Sequence, residues 1–472
     1  MTPSQRPGPA SISPTPVPAS VTDVPFSAGP IQLLDANVGW ATINSGLATT
    51  TDGGATWYGV FLTPSASFAE LRFVDRAAGW AILQRYGADA SCAAPATRAP
   101  CWSVVTTADG GRSWQDRLSA AVNGTGTATI FSLQAIDAQR AWVIVATTEC
   151  DATGCADELR TTSDGGRTWQ TQLRGRPGLG SLRFASAKHG WIASGRGDPR
   201  GGTDVLVTDD GGVSWARSFA ATDGVPDIDA ASERQAWILT RDGAFCTASN
   251  CSAYELLRTT DGGTTWSTLG NPKESSTCSG GQLAGPLFAS PSIGWFGITL
   301  GAGGVNVGHG GTMRTSDGGR TWDCKPFPAN ASVLSAADPL HVWARSDNPQ
   351  GGSSLYSTID GGASWHRIGS ATVRPTIIPP ATPAGLILPA RCRYVGFTDG
   401  TVEQSWEIDC GASNDARGLF TPPLVAAGWT SCGFGLAAAG WRKGAFDLGI
   451  SETASPDDPI RLLQFATSGP CG

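Results

Sequence analysis

The chain has little charge, few histidines and no long apolar run. Only 15% of its 472 residues are charged, and the formal net charge is −7. Because phosphate groups are bound by basic surfaces, this balance argues against a nucleic-acid partner. No segment is long and apolar enough to span a membrane, and the first residues lack the apolar core of a signal peptide. The histidines are scattered, so we expect no metal site and no cofactor; they are His189, His309, His341 and His366.

One short phrase is repeated seven times, and nothing in the chain has a helical period. Each copy, which we call a box, reads Thr-x-Asp-x-Gly-x-Thr/Ser-Trp. A fixed phrase at a spacing of 43 to 57 residues predicts a repeat architecture, and a four-stranded propeller blade has roughly 40–50 residues. The aspartates of boxes 1 to 7 are Asp52, Asp109, Asp164, Asp210, Asp261, Asp317 and Asp360. The box tryptophans are Trp57, Trp114, Trp169, Trp215, Trp266, Trp322 and Trp365.

A second phrase precedes each box: a tryptophan, usually after a small residue, that enters a short apolar run. These tryptophans are Trp40, Trp80, Trp142, Trp191, Trp237, Trp295 and Trp343. Another short strand pattern comes before each of them, as in residues 70–74 and 181–185. Each unit therefore reads strand 1, tight turn, strand 2, variable loop, strand 3, box turn and strand 4. His189 and His341 fall in the 1–2 turns of two units, where we expect exposed side chains.

The box residues suit a tight turn between two strands. An aspartate can accept hydrogen bonds from backbone N–H groups close along the chain, and glycine adopts the positive φ that such turns need. The hydroxyl residues add local bonds, and the tryptophan buries a large ring. A calcium loop is the competing interpretation, but calcium needs several more oxygen ligands than one aspartate per turn supplies. We therefore interpret the box aspartates and box tryptophans as structural.

The phrase S/T-x-D-x-G-x-T/S-W resembles the Asp-box, or BNR, repeat, and all seven copies match it. With the strand-2 tryptophans, it makes roughly residues 28–370 similar to the seven-bladed Asp-box β-propellers of the photosystem II assembly-factor type. The resemblance implies an all-β propeller and an assembly or stability factor for a membrane complex. Asp-boxes also occur in sialidases, sortilin-type receptors and some glucan hydrolases, on the face away from the active site. Such a fold does not fix the function.

A glycan-acting hydrolase, sialidase-like or glucanase-like, is the alternative function. Sialidases hold the substrate carboxylate with three arginines, use a tyrosine nucleophile and carry an F/Y-R-I-P phrase before their first boxes. This chain has no such phrase; the nearest string is His366-Arg367-Ile368-Gly369, after the last box. We therefore expect no catalytic residues. Two or three carboxylates converging in the central channel on the loop face would argue for the enzyme.

Most of the twelve cysteines fall in close pairs. Local pairing predicts disulfides, which persist in oxidising compartments, so we expect an extracellular or cell-envelope protein. Zinc is the competing interpretation, but it needs C-x2–4-C pairs that converge with histidine. The predicted bonds are Cys92–Cys101, Cys150–Cys155, Cys246–Cys251 and Cys392–Cys410. Pairing stays open for Cys278, Cys324, Cys432 and Cys471, which pair only by subtraction.

Composition divides the chain into four parts. Residues 1–27 are rich in Pro, Ser and Thr and predict a disordered linker, with a signal or anchor upstream that this sequence does not include. The propeller follows at 28–370, and a Pro-rich linker at 371–383. Residues 384–472 lack the box and predict a small disulfide-stapled β domain of unknown family. A partial eighth blade is the alternative for that last part.

Topology predicts a working face. In an up-and-down blade the 1–2 and 3–4 turns share one face, which we call the box face. The 2–3 and 4–1 connections share the other, which we call the loop face. Long loops on a rigid scaffold are where binding usually resides. We therefore predict a non-catalytic, monomeric binding or scaffold protein that takes a protein or glycan partner on the loop face. Arg174 and Arg176, in a predicted 4–1 loop, are the candidate contacts for an acidic partner.

Overall fold

The structure, a computed structural model, divides into two compact units. The propeller unit comprises residues 1–14 and 24–371, and the C-terminal unit comprises 15–23 and 372–472. The residues described are 11–12, 22–43, 46–62, 66–85, 101–120, 128–147, 150–151, 154–155, 157–176, 178–196, 202–221, 226–241, 253–274, 281–299, 311–327, 331–347, 353–369, 371–373, 383, 385–389, 392–399, 403–410, 416–434, 438–451 and 460–466. The domain limits at 27/28, 370/371 and 383/384 stay predictions.

Two short strands come first, β1 (Ser11–Ile12) and β2 (Thr22–Val24). Blade 1 is β3 (Phe26–Leu33), β4 (Gly39–Ile43), β5 (Gly46–Thr50) and β6 (Tyr58–Leu62). Blade 2 is β7 (Ala66–Phe73), β8 (Gly79–Arg85), β9 (Cys101–Thr107) and β10 (Trp114–Ala120). Blade 3 is β11 (Ala128–Ala135), β12 (Ala141–Thr147), then an inserted hairpin of β13 (Cys150–Asp151) and β14 (Gly154–Cys155), then β15 (Asp157–Thr162) and β16 (Gln170–Arg176).

The remaining four blades repeat the same order. Blade 4 is β17 (Leu179–Phe184), β18 (Gly190–Gly195), β19 (Thr203–Thr208) and β20 (Ala216–Ala221). Blade 5 is β21 (Asp227–Ser232), β22 (Gln235–Arg241), β23 (Tyr254–Thr259) and β24 (Ser267–Gly270). Blade 6 is β25 (Gln282–Phe288), β26 (Gly294–Thr299), β27 (Gly311–Thr315) and β28 (Asp323–Pro326). Blade 7 is β29 (Val333–Ala336), β30 (Val342–Asp347), β31 (Ser353–Thr358) and β32 (His366–Ile368), and β33 (Ala371–Val373) follows it.

The blades close into a ring. Within each blade the four strands pair in chain order, all antiparallel. The first strands of consecutive blades contact one another around the whole ring, and β29 of blade 7 contacts β3 of blade 1. The predicted seven-bladed β-propeller is therefore confirmed. The four strands of each blade come from one continuous stretch of chain, and β1, β2 and β33 extend the outer edges of blades 1 and 2.

The small residue before the strand-2 tryptophan has a packing reason. Gly79 lies under the Phe73 ring, and a Cβ at that glycine would come within 2.7 Å of the ring. Phe73 in turn stacks flat on Trp40 of the preceding blade, with ring centroids 3.6 Å apart. The same stacking recurs in the pairs Trp142–Phe184 and Trp237–Phe288. The strand-2 tryptophan therefore joins one blade to the next.

The two sets of tryptophans differ in burial. All seven strand-2 tryptophans are at most 2% exposed. Among the box tryptophans, Trp57, Trp114 and Trp322 are buried, whereas the other four are half-buried. Trp169 is one of these four: it packs edge-on to Trp80 and donates its Nε1–H to the Arg117 carbonyl of the preceding blade. Box tryptophans thus seal the outer part of each interface between blades.

The N-terminal segment contains strands where the sequence predicts disorder, namely β1, β2 and the start of β3. Strand β1 pairs with β10 at the edge of blade 2. Strand β3 begins at Phe26, inside the predicted linker, because that ring is 4% exposed and packs edge-on to Trp57. An aromatic side chain can therefore extend the first strand of the propeller into a segment whose composition suggests a spacer.

The C-terminal unit is a six-stranded antiparallel sheet with one helix. Its elements are β34 (Arg393–Asp399), β35 (Glu403–Asp409), α1 (Ala416–Ala426), β36 (Thr430–Phe434), β37 (Ala438–Lys443), β38 (Phe446–Ser451) and β39 (Ile460–Ala466). The strand order is β34-β35-β39-β38-β37-β36. Because β39 lies between β35 and β38, the sheet is not a blade, which excludes the eighth-blade alternative. No helix among the described residues has the length and apolarity needed to cross a membrane.

The cysteine predictions are tested in part. Cys392 and Cys410 form the predicted disulfide, which ties the start of β34 to the end of β35. Cys324 and Cys432 are also disulfide-bonded. Cys150 and Cys155 are direct neighbours across the β13–β14 pair, and their bond stays a prediction, as does Cys92–Cys101. Five cysteines lie outside the described residues: Cys92, Cys246, Cys251, Cys278 and Cys471. The Cys246–Cys251 bond therefore also stays a prediction.

Candidate binding site in the central channel

Each box is closed by one set of hydrogen bonds. In box 4, Thr208 Oγ1 donates to Asp210 Oδ1 at 2.8 Å, and the Gly212 N–H donates to Thr208 Oγ1 at 2.8 Å. Ser214 donates its N–H to Asp210 Oδ1 at 2.9 Å and its hydroxyl to Oδ2 at 2.5 Å. The same four bonds occur in the other six boxes. Both carboxylate oxygens are therefore engaged inside the turn.

These bonds favour the charged form of Asp164 and Asp210. The Thr168 N–H, followed by its hydroxyl, lowers the pKa of Asp164 to about 2. The Ser214 hydroxyl and N–H do the same for Asp210, whose pKa is also about 2. A carboxylate that accepts several hydrogen bonds in its ionised form is a poor proton donor at neutral pH. The box aspartates are therefore turn residues rather than candidates for acid–base chemistry.

The boxes also fix which connections share a face. In blade 4 the Gly211 N–H donates to the Lys188 carbonyl of the 1–2 turn at 2.8 Å. Each of the other blades has the matching bond, from Gly53, Gly110, Gly165, Gly262, Gly318 and Gly361. The 1–2 and 3–4 turns thus lie together on the box face, and the connections at the other strand ends emerge on the loop face. The longest of these connections span residues 86–100, 242–253, 271–281 and 300–310.

The predicted contact residues are in a strand and not in a loop. Arg174 and Arg176 lie at the end of β16, which runs further than the sequence indicated. Arg174 Nε is 2.9 Å from Glu158 Oε1 on the neighbouring strand, and its side chain is 70% exposed. Arg176 is opposite Asp157 in the strand register. Both arginines therefore lie at the edge of the loop face, each opposite an acidic residue.

His189 is not the exposed turn residue that the sequence predicts. Its side chain is 10% exposed, and its Nδ1 lies 2.5 Å from Asp209 Oδ1. The ring packs edge-on to Trp191, with centroids 4.5 Å apart. His341 is half-buried, with Nδ1 2.8 Å from an oxygen of Asp338. Each histidine thus has an aspartate partner on the box face.

One position on strand 1 faces the strand-2 tryptophan in every blade. We call the residues at this position the ring layer; they are Gln32, Arg72, Gln134, Arg183, Asp229, Leu287 and Ser335. Strand 1 is the innermost strand of a blade, so the ring layer surrounds the central channel. In every blade except blade 5 it lies one residue before strand 1 ends, close to the mouth of the channel on the box face.

Most ring-layer side chains reach the next blade. Gln32 donates its Nε2–H to the Phe73 carbonyl at 2.8 Å and accepts the Phe73 N–H at 2.6 Å. Asp229 accepts the Phe288 N–H at 2.6 Å. Ser335 accepts the Leu33 N–H at 2.9 Å. These polar clamps hold blades 1 to 2, 5 to 6 and 7 to 1 along the channel.

Glu70 makes the corresponding clamp between blades 2 and 3. Its two carboxylate oxygens accept the N–H groups of Ser132 and Leu133, at 2.5 and 2.8 Å. These two residues lie in a bulge of β11, where Ser132 has a φ of 55°. Burial raises the pKa of Glu70, while Arg72 and the two N–H groups oppose that rise. The strained bulge points its N–H groups at one carboxylate.

Charges from three blades meet at the channel. Arg183 Nη2 lies 2.9 Å from Asp229 Oδ1, and Arg72 occupies the same ring layer in blade 2. Arg72 is 37% exposed and Arg183 is 32% exposed, whereas Asp229 is 5% exposed. Burial raises the pKa of Asp229, and Arg183 opposes the rise.

The arrangement favours binding over acid–base chemistry. Glu70 and Asp229 each have both oxygens bonded. The two arginines are the more exposed members of the cluster, and guanidinium groups carry five N–H donors each. Among the described residues, no group of His, Cys, Asp or Glu side chains could hold a metal ion. Sequence reasoning missed this cluster, whose only signal is the Leu-Arg-Phe string at 71–73 and again at 182–184.

Comparisons with known proteins show the fold. No protein-family pattern matches the sequence, and no curated protein matches it. A GH74 xyloglucanase from Xanthomonas campestris matches with a TM-score of 0.50 at 12% identity, over 84% of this chain and 60% of that chain. YCF48 bound to D1 peptide matches with a TM-score of 0.45 at 18% identity, over 74% and 97%. The β-propeller domain of the trilobed protease from Pyrococcus furiosus has a TM-score of 0.42 at 10% identity, over 73% and 90%. The chain is a β-propeller protein by structure.

Proposed function

We propose that the protein is an exported, non-catalytic scaffold that binds a protein or glycan partner through its loop face. The observation that carries this proposal is the distribution of the connections. The short turns are tied together on the box face, whereas the long connections at 86–100, 242–253 and 300–310 leave the strand ends on the opposite face. Variable loops on a rigid ring are a common binding surface.

The state of the channel carboxylates supports a role without catalysis. A general acid or base needs an oxygen that can reach the substrate. Glu70 and Asp229 have all four oxygens bonded within the protein. Freeing one of them would leave a backbone N–H or a guanidinium without its partner. We therefore propose that both carboxylates hold blades together.

Disulfide bonding supports export. The Cys392–Cys410 bond and the bonded state of Cys324 and Cys432 are typical of proteins from oxidising compartments. We propose an extracellular or cell-envelope location. We also propose that the protein is a monomer.

The boxes support a relationship to the Asp-box, or BNR, propellers. Each box has the same four bonds around its aspartate, as the repeated sequence requires. We propose that the protein acts as an assembly or stability factor of the kind that some Asp-box propellers are, with a partner complex of unknown composition. Arg174 and Arg176 remain proposed contacts for acidic groups of that partner.

Partner capture tests the loop-face proposal. The native envelope fraction is passed over the wild-type protein and over a variant in which residues 300–310, which contain no cysteine, are replaced by a Gly-Ser linker. Val213→Glu is the control, since Val213 is 76% exposed in box 4 on the opposite face. We expect the loop variant to lose the partner and the control to keep it. Loss in the control alone, with both variants folded, would assign the partner to the box face.

Turnover assays test the absence of catalysis. The purified protein is incubated with a sialoside and with a glucan, and released sugar is measured. We expect no product above the level given by a Glu70→Gln, Asp229→Asn double variant. Release by the wild type that this variant lacks would establish the glycan-acting hydrolase instead.

A further inference from the structure

An ion pair lies open to solvent at the mouth of the channel on the loop face, where blade 5 meets blade 6. Asp227 is the first residue of β21, and Arg241 is the last residue of β22. Arg241 Nη2 contacts Asp227 Oδ2 and lies 3.3 Å from the Leu283 carbonyl oxygen of blade 6. Strand 1 is innermost and begins on the loop face, so this pair lies beside the channel opening. We propose that the pair binds adjacent hydroxyl groups of a neutral glycan.

Two other blades have an arginine where strand 2 ends, and there the ion pair is closed. Arg85 of blade 2 bonds Asp116, whose side chain is 13% exposed. Arg196 of blade 4 bonds Asp204, whose side chain is 12% exposed. Those two acids come from strands 4 and 3 of their blades. In blade 5 the acid is Asp227 of strand 1, and the two side chains of the pair are 39% and 38% exposed. Blade 5 therefore presents its pair to the channel mouth.

Both members of the pair keep atoms for a ligand. Among the described residues, Asp227 Oδ1 accepts no hydrogen bond, since Arg241 contacts the other oxygen. Arg241 uses its Nη2 for Asp227 and for the Leu283 carbonyl. It also bonds the Tyr254 hydroxyl. A guanidinium has five N–H donors, so donors remain on Arg241. A free acceptor and free donors thus lie side by side.

This set of atoms suits a ligand whose groups both donate and accept hydrogen bonds. Neighbouring sugar hydroxyls meet that requirement, since each has one donor and two lone pairs. One hydroxyl can donate to the free oxygen of Asp227 while the next accepts from Arg241, and hydrogen bonds to charged groups are stronger than those between neutral groups. The pair has a single carboxylate, whereas glycoside hydrolysis generally uses two. We therefore expect binding without cleavage.

A protein ligand fits this mouth less well than a glycan does. Protein interfaces depend on aromatic and apolar anchors, and the apolar side chains beside the pair are already buried: Tyr254 is 4% exposed and Leu283 is 3% exposed. Lys273 adds a positive charge nearby, with its Nζ 5.6 Å from the centroid of the Tyr254 ring. That Nζ donates to the Gly281 carbonyl at 2.6 Å. An acidic ligand is therefore included in the test.

This inference rests on the proposed function, because the mouth belongs to the loop face. The two fail in different experiments. The loop-face proposal fails if a captured partner is still bound after residues 300–310 are replaced. The glycan site fails in a titration that needs no partner and leaves those residues unchanged.

Ligand-observed NMR titration of the full chain tests the site. The neutral probes are cellotetraose, maltotetraose, mannotetraose and xylotetraose, and tetragalacturonate and tetra-alanine are the acidic and peptide comparisons. Asp227→Asn is the first variant, which replaces one acceptor oxygen by a donor. Arg241→Lys is the second, which keeps the charge next to Asp227 but has fewer donors. Arg76→Gln is the control, because Arg76 forms an exposed ion pair with Asp35 on the box face.

We expect at least one neutral tetrasaccharide to bind more tightly than tetragalacturonate and tetra-alanine do. Asp227→Asn and Arg241→Lys should each weaken that binding about tenfold, the loss expected for one charge-assisted hydrogen bond, and Arg76→Gln should not. Unchanged binding in either folded variant, or binding of none of the neutral tetrasaccharides by the wild type, would overturn the proposal. Tightest binding of tetragalacturonate would assign the mouth to an acidic ligand, and tightest binding of tetra-alanine to a peptide; either result would also overturn it.

Discussion

A box aspartate stabilises the fold more when its carboxylate is ionised than when it is protonated. In box 4 both oxygens of Asp210 accept hydrogen bonds from Thr208 and Ser214. Protonation would put a donor where the turn supplies donors already. The stability of the propeller therefore depends on pH through the box, although an aspartate at the surface usually has little effect on stability.

Asp210→Asn should lower the unfolding temperature at neutral pH and lose its effect in acid. The pKa of Asp210 is about 2, below the value of about 3.9 for an unfolded aspartate. A lowered pKa contributes stability that is present above the unfolded value and disappears as the pH falls through the folded one. The difference between wild type and variant, followed by circular dichroism, should shrink between about pH 4 and pH 2.

Asp323→Asn is the control for that prediction. Asp323 is 76% exposed, and its contact with Lys325 is 3.9 Å long. Its replacement should leave the unfolding temperature nearly unchanged at every pH. A difference between Asp210→Asn and wild type that stays constant down to pH 2 would mean that the box does not depend on ionisation.

Gly79→Ala should destabilise the propeller by about 1–3 kcal/mol. The new methyl group would come within 2.7 Å of the Phe73 ring, and that ring cannot yield because it is stacked on Trp40. Urea unfolding measures the loss. Gly369→Ala is the matched control, since a Cβ there meets nothing within 4 Å; equal stability of the two variants would remove the packing reason given for the small residue.

At the scale of the strand, the clamps between blades are side chains that replace missing backbone pairing. Neighbouring blades pack face to face, and their inner strands are not in one sheet. A polar side chain that bonds the backbone of the next blade therefore adds a directional link to an interface that is otherwise apolar. Gln32 is the clearest case, with one donor and one acceptor engaged on Phe73.

Gln32→Ala should cost about 1–3 kcal/mol, because it leaves the Phe73 N–H and carbonyl without this partner. The midpoint of urea unfolding is the measurement. Gln139→Ala serves as the comparison, since the Gln139 side chain is exposed in the 1–2 turn of blade 3. If both variants unfold at the wild-type midpoint, the clamp contributes nothing measurable.

The sequence predicts strands and blades better than it predicts the site. The box phrase specifies its own turn, since Asp210 bonds residues within four positions, and such local chemistry can be read directly. The ring layer depends on seven strands meeting around one axis, and the string 71–73 does not show that Arg72 and Asp229 will lie in one layer around the channel. Contacts between blades that are far apart in the sequence form only when the ring of seven blades closes.

The helix of the C-terminal unit shows another limit. Helix α1 contains Pro422 and Pro423 in its interior, where proline removes backbone bonds and usually ends a helix. Local propensity therefore argues against it. Phe420 and Leu424 are buried in the core of this unit, together with Trp406. Burial of one helix face outweighs the propensity, and a single sequence gives no measure of that burial.

At the scale of the whole molecule, the two units should unfold in separate transitions. A Cys392→Ala, Cys410→Ala double variant removes the bond between residues 18 apart in sequence, and should lower the stability of the C-terminal unit by about 2–4 kcal/mol. The propeller transition should not move. Differential scanning calorimetry of the wild type and the variant distinguishes the two transitions; a shared shift of both would show that the units unfold together.

Blade 7 meets blade 1 through side chains and through strand β33, which follows blade 7 and lies beside β6 in the sheet of blade 1. Ser335 accepts the Leu33 N–H, Trp343 packs against Trp57 with centroids 5.1 Å apart, and Arg345 bonds the Gly29 carbonyl. The other neighbouring blades are joined by the connection from strand 4 of one blade to strand 1 of the next, whereas here the chain leaves blade 7 and pairs as β33 with the outer strand of blade 1. We call this contact between blades 7 and 1 the clasp, and we expect the ring to open there first under mechanical load. In optical-tweezer pulling from handles at residues 26 and 369, the first rupture should open this clasp and leave blades 2 to 6 folded. A single rupture of the entire ring would show that load spreads evenly around it.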